Sequence, residues 1–183
     1  MSQIIKPGSG HRLKNFSILD PAGILMFLDL LFQIWRRLSG HLQWWSLWLF
    51  SSKFMVSVSG VVFDQDGRIL LQRHRHWVAD VWGLPGGIVQ RGETLEAAFA
   101  REVFEETGLA LAEIELLRVV SDYRLRVEVY YRARLAAGVN PLMIRIQPQE
   151  ILEARFFPPN ELPPNMFPLQ RDLIALASSR ETG

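Results

Sequence analysis

Residues 87–109 read GIVQRGETLEAAFAREVFEETGL, and this stretch limits what the chain can fold into more than any other. It follows a glycine-rich loop, Gly83-Leu84-Pro85-Gly86-Gly87, and from Thr94 to Thr107 its pattern is helical. Thr94 stands where an N-cap hydroxyl accepts an orphan backbone N–H, and Gly108 stands at the C-terminal stop. On a helix turning about 100° per residue, Glu102, Glu105 and Glu106 fall within one sector of about 100°. Carboxylates crowded in this way repel one another unless a cation lies among them. Hard oxygen ligands suit Mg2+ or Mn2+, ions that bridge phosphate oxygens and acidify bound water. Glu93 opens the helix and Arg101 precedes the cluster, so an ion pair between them would lock the loop onto the helix. Gly86 and Gly87 allow the backbone to approach a substrate closely, and the Gly87 carbonyl is a further candidate ligand. A glutamate-rich helix face on its own is usually just solvated, so the weight rests on the spacing of the whole stretch.

The surrounding pattern gives that helix a sheet to pack on. From Met55 the sequence alternates: Val56, Val58 and Val61 predict a strand, Asp66-Gly67 a hairpin turn, and Arg68–Arg73 the returning strand. Glu113–Val120, Leu125–Leu135 and Ala154–Phe157 predict further strands, a proline-rich loop spans Pro158–Pro168, and Leu169–Ala177 predicts a closing helix. Strands mixed with one central and one terminal helix imply an α/β class with helices packed on a mixed sheet. With no cysteine in its 183 residues, the chain has no disulfide, thiolate metal site or cysteine nucleophile.

The stretch resembles the Nudix box, G-x5-E-x7-R-E-U-x-E-E-x-G-U with U aliphatic. Gly87, Glu93, Arg101-Glu102-Val103, Glu105-Glu106 and Gly108-Leu109 match it without departure. The likeness covers roughly residues 54–178. It implies a Nudix fold, an α/β/α sandwich with a mixed β-sheet, and a Mg2+- or Mn2+-dependent hydrolase of a pyrophosphate bond in a nucleoside diphosphate-type or nucleoside triphosphate substrate. By similarity, Glu102, Glu105 and Glu106 are metal ligands. The general base is one of them or a later glutamate, with Glu150 preferred over Glu153 and Glu128. The Pro85-Gly86-Gly87 lead-in is similar to the triphosphate-cleaning branch, while ADP-ribose, sugar-nucleotide and lipid-linked diphosphates stay open as substrates. A nucleotide-binding module that lost its chemistry is the other class, and the full set of glutamates speaks against it.

Four residues between the second strand and the box carry positive charge or imidazoles. Arg73 is the candidate to hold a phosphate, with a charged strand end as the alternative. His74 and His76, two apart on a strand with no third partner in sight, are assigned to the surface. Trp77 and Trp82 flank the box; Trp82 is expected to be packing.

Residues 1–53 form a separate extension ahead of the 54–183 domain. Residues 1–21 read as irregular, with Asp20-Pro21 as a helix start. Ala22–Leu38 is a nearly all-apolar helix pattern, and Leu42–Phe50 a second apolar stretch with Trp44, Trp45 and Trp48. The extension carries six Lys/Arg against two Asp, whereas residues 54–183 carry fourteen against seventeen acidic residues. The acidic body argues against a nucleic-acid partner. Ala22–Trp35 is too short to span a bilayer and contains Asp29, so residues 20–50 suit a membrane surface, a homodimer face or packing on the domain. The expected setting is cytoplasmic, at a membrane periphery if the first of these holds.

Overall fold

The computed structural model describes residues 21–78 and 80–180. Asp20 as a helix cap, and the irregular segment before it, lie outside the described residues. The chain divides into two compact units, residues 1–51 and 52–183.

Among the described residues the first unit contains two helices, α1 (Pro21–Arg37) and α2 (Gly40–Phe50). Ser39, in extended conformation, and Gly40 make the corner between them. The Gln43 side-chain amide donates to the Trp35 carbonyl at 2.7 Å and ties the two together. Among the described side chains of the two helices none is buried, and no helix among the described residues is long and apolar enough to cross a membrane.

The second unit holds six strands and two helices: β1 (Met55–Phe63), β2 (Ile69–His74), β3 (Gly86–Ile88), α3 (Leu95–Thr107), β4 (Leu111–Tyr123), β5 (Arg126–Leu135), β6 (Ile151–Phe157) and α4 (Pro168–Ser179). The sheet runs β4-β5-β1-β2-β6, with β3 paired to β1. β1 and β5 are parallel and the other pairs antiparallel, so the sheet is mixed. The β1–β2 hairpin closes where Asp64 Oδ1 accepts from the Asp66 and Arg68 amides, with Gly67 at φ +75°.

Side chains alternate across the strands and build two cores. On one face Val58, Val62, Leu70, Val129 and Tyr131 pack under α3, where the Phe99 and Tyr131 rings stack at 5.5 Å. On the other Val61, Ile69, Leu71 and Tyr130 pack against Leu173, Ile174 and Ala177 of α4. This is the expected sandwich.

Several boundaries differ from the sequence reading. The glycine loop is not all loop, because Gly86 and Gly87 pair with Ser59 and Val58 as β3. β6 begins at Ile151 rather than Ala154: Ile151 is buried, and Glu153 lies opposite Arg73 in the β2–β6 ladder. β4 is longer at both ends, and register shifts along its ladder with β5 break the alternation that locates a strand in sequence.

Candidate active site

Helix α3 begins as its residues dictate. The Thr94 hydroxyl accepts the Ala97 amide at 3.2 Å, and the helix ends on Gly108 at φ +73°. Phe99, Val103 and Glu106 recur at helical spacing on the sheet-facing side, so the apolar stripe ends in a carboxylate. The three glutamates therefore differ in exposure: Glu106 is buried, Glu102 largely so, and Glu105 about half exposed.

Arg101 joins loop and helix. Its Nε and NH2 donate to the two Glu93 oxygens at 3.0 and 2.9 Å, and its NH1 donates to Glu102 and Glu105 at 2.9 and 3.1 Å. The guanidinium beside Glu93 holds that carboxyl down at about 2. Burial instead pushes Glu106 up to about 8, against the Gln72 side chain and the Gly86 amide that donates to it at 3.1 Å, with Glu102 and Glu150 nearby adding to the rise. Burial raises Glu102 as well, against the pull of Arg101.

Across the cleft, the 136–150 loop is fastened to the C-terminal end of α3. The Arg145 and Gln147 amides donate to the Thr107 and Glu106 carbonyls. Glu150 is then fixed between its own amide, which donates to Gln147, and its carbonyl, which accepts from Arg75. Its side chain is half exposed, and one of its oxygens lies 3.8 Å from His74 Nε2. His74, Glu106 and Glu150 each offer a ligand atom, and the three atoms lie within 4.8 Å of one another. The cleft they line also contains Trp77, Gly87, Arg101, Glu102 and Glu105.

His74 is thus not a surface residue. Alternation along β2 turns Gln72 and His74 towards α3, and the second and third members of the group come from α3 and from the loop before β6, far off in sequence. Its ring stacks on Trp77 at 5.4 Å, its Nδ1 accepts the His76 amide at 3.2 Å, and burial lowers its pKa, against Glu150. The same alternation sends Arg73 to the opposite face. There it pairs with Asp80 and Glu153, both at 2.8 Å, and lies 5.6 Å over the Trp82 ring, so it is not brought to the glutamates. Trp82 is buried against Phe157. Glu128 lines a second cavity behind β3, with Ser57 and Arg126, and accepts from the Tyr130 hydroxyl. Trp77 and Gly86–Ile88 line both cavities.

The donor set fits a divalent cation. Carboxylates converge with little compensating charge, one of them buried and held towards its neutral form. The buried Gln72 amide lies beside Glu106 and favours its charged form. Gly87 has no Cβ where one would meet the Glu102 carboxylate at 2.3 Å.

Known proteins carry the same pattern. The NUDIX domain model matches residues 53–177. A MutT-like protein of Streptomyces ambofaciens is 42% identical over 46% of this chain and 54% of its own length. The NAD-capped RNA hydrolase NudC of Escherichia coli is 34% identical over 56% of this chain and 39% of its own. The chain thus spans about half or less of the length of these curated relatives. Among solved structures, a MutT NUDIX hydrolase from Burkholderia pseudomallei superposes with TM-score 0.58 at 29% identity, covering 68% of this chain and 98% of that one. A NUDIX hydrolase from Nitrosomonas europaea gives 0.62 at 27%, covering 73% and 75%.

Proposed function

The chain belongs to the Nudix family, and from that premise we propose that it is a Mg2+- or Mn2+-dependent hydrolase of a pyrophosphate bond in a nucleoside diphosphate-linked or nucleoside triphosphate substrate. The observation that carries this reading is the convergence of Glu106, Glu150 and His74 beside Glu102 and Glu105 in one open cleft. Relatives support the substrate class: NudC is named as a hydrolase of NAD-capped RNA, in which two nucleosides share a pyrophosphate.

Glu102, Glu105 and Glu106 would hold the cation, with the Gly87 carbonyl as a further ligand. A bound divalent ion neutralises charge on the phosphates and acidifies water. Arg101 keeps Glu102 and Glu105 in place and offsets part of their repulsion. Glu150 is the best-placed general base. It is open to solvent, on the far side of the cleft from α3, and held by no arginine or lysine among the described residues. Trp77, between the two cavities, offers a face on which a base can stack.

Formation of the cleaved products, a nucleoside monophosphate with a phosphorylated partner or pyrophosphate, would be followed by ion-exchange chromatography across nucleoside triphosphates, ADP-ribose, sugar nucleotides, dinucleoside polyphosphates, CDP-alcohols and a prenyl diphosphate, with Mg2+ or Mn2+. Turnover that disappears in both Glu105→Gln and Glu106→Gln establishes the hydrolase and names its substrate. Normal metal binding with no turnover of any compound would favour a nucleotide-binding module.

A further inference from the structure

The two helices ahead of the hydrolase domain have the surface of neither a soluble helix pair nor a membrane span. Among the described residues of 21–50, sixteen large apolar side chains are exposed, from Ile24 and Leu28 at about two fifths to Phe50 at 86%. The polar residues of α1, Asp29, Gln33, Arg36 and Arg37, fall within about 100° of the helix circumference. A soluble amphipathic helix has the opposite proportion, an apolar stripe of about that width and a polar remainder. At 17 and 11 residues, the helices reach about 25 and 17 Å, short of the roughly 30 Å of bilayer hydrocarbon.

We propose that α1 and α2 form a monotopic anchor that lies in one leaflet of an anionic lipid bilayer and holds the hydrolase at the headgroups. Charge selects this occupant. Arg36 and Arg37 close the polar stripe of α1, Lys53 follows α2, and residues 1–53 carry six basic against two acidic residues. Each basic side chain near an anionic surface adds attraction, whereas a second copy of this chain would bring the same positive charge against it. Trp44, Trp45 and Trp48 stack edge to face at 5.7 and 5.5 Å, an amphipathic aromatic cluster of the kind that settles at the headgroup boundary. The Gln43 amide on the Trp35 carbonyl holds both helices as one unit.

The test uses the full chain with unilamellar vesicles of phosphatidylcholine alone, or of equal parts phosphatidylcholine and phosphatidylglycerol. Flotation should recover the protein with the anionic vesicles, at least tenfold more than with the neutral ones, and tryptophan fluorescence should be quenched by brominated lipid. Arg36→Glu with Arg37→Glu should lower anionic-vesicle binding at least tenfold, and Trp44→Ser with Trp45→Ser and Trp48→Ser should remove most of the quenching, leaving the part due to Trp35 of α1. Hydrolysis or binding of a soluble nucleotide serves as the folding control for both variants. Equal, weak recovery on both vesicles would overturn the proposal. So would a discrete dimer in analytical ultracentrifugation that neither floats nor loses its mass when vesicles are added.

Discussion

Arg101 donates to both oxygens of Glu93, at 3.0 and 2.9 Å, while the same guanidinium reaches Glu102 and Glu105. The loop carrying Gly87 and the helix carrying the glutamates are therefore set by one side chain. Glu93→Gln removes the anion that orients it, and Arg101→Lys removes the planar fork that can serve three carboxylates at once. Each should weaken Mn2+ binding by roughly 10–100-fold, the usual loss when a ligand's support goes, with circular dichroism unchanged. Calorimetric titration checks this. Wild-type affinity in either variant would reduce the pair to a loop tether. Because Glu93 is held at about 2, against 4.5 for an ordinary glutamate, the pair's contribution is present above about pH 4.5 and disappears as pH falls towards 2.

Glu106 gives stability the opposite pH dependence. Its folded-state pKa, about 8, lies above the 4.5 of the unfolded chain, so between those values the folded protein binds the extra proton. Its contribution to stability without metal is fully present below about pH 4.5 and is lost as pH rises through 8. Glu102, also raised, acts in the same direction. Thermal melts in chelator should show the melting temperature declining across this window, and added Mn2+ should protect most at the alkaline end, where it displaces no proton. Glu106→Gln should flatten the chelator curve and remove most of the Mn2+ protection. A flat wild-type curve would exclude a buried titrating carboxylate here.

The nearness of His74 to Glu106 and Glu150 gives the site a nitrogen donor. Imidazole favours first-row transition ions over Mg2+, so His74→Ala should reduce Mn2+ affinity about tenfold or more and change Mg2+ affinity less. An ion on Nε2 places the ring proton on Nδ1 and gives up the bond from the His76 amide, a loss of about 1 kcal/mol. Electron spin-echo spectra of the Mn2+ protein read the ligand directly. Nitrogen modulation in the wild type that is lost in His74→Ala is expected. Its absence from the wild type would leave His74 as a donor towards Glu150.

Gly86 sits at φ +149° on β3, and a Cβ there would meet the Val58 carbonyl oxygen at 2.1 Å. Gly86→Ala should destabilise the fold by about 1–3 kcal/mol from backbone strain alone, and the clash with β1 adds to it. Moving β3 also moves the amide that donates to Glu106. Chemical denaturation gives the first quantity and Mn2+ titration the second. A variant as stable as the wild type would mean that β3 can shift without consequence.

The residues alone determined everything that depends on local order. Capping at Thr94 and Gly108, the helical spacing of Glu102, Glu105 and Glu106, and the turn at Asp66-Gly67 all follow from neighbours within a few positions, where backbone geometry is fixed by short-range rules. The alternation of apolar residues was enough to indicate a mixed sheet with helices packed on it. It could not indicate β3, since three residues containing two glycines have no pattern of their own and become a strand only against β1. Nor could it separate Arg73 from His74. The two are adjacent, and which one meets the glutamates depends on which face of β2 lies under α3. That face was chosen by packing, through Leu70 on one side and Ile69 and Leu71 on the other, and by a 136–150 loop that brings Glu150 back across the chain. Contacts between residues this far apart in sequence exist only once the sheet has formed, and so the tertiary structure, not the local sequence, assembled the far side of the site.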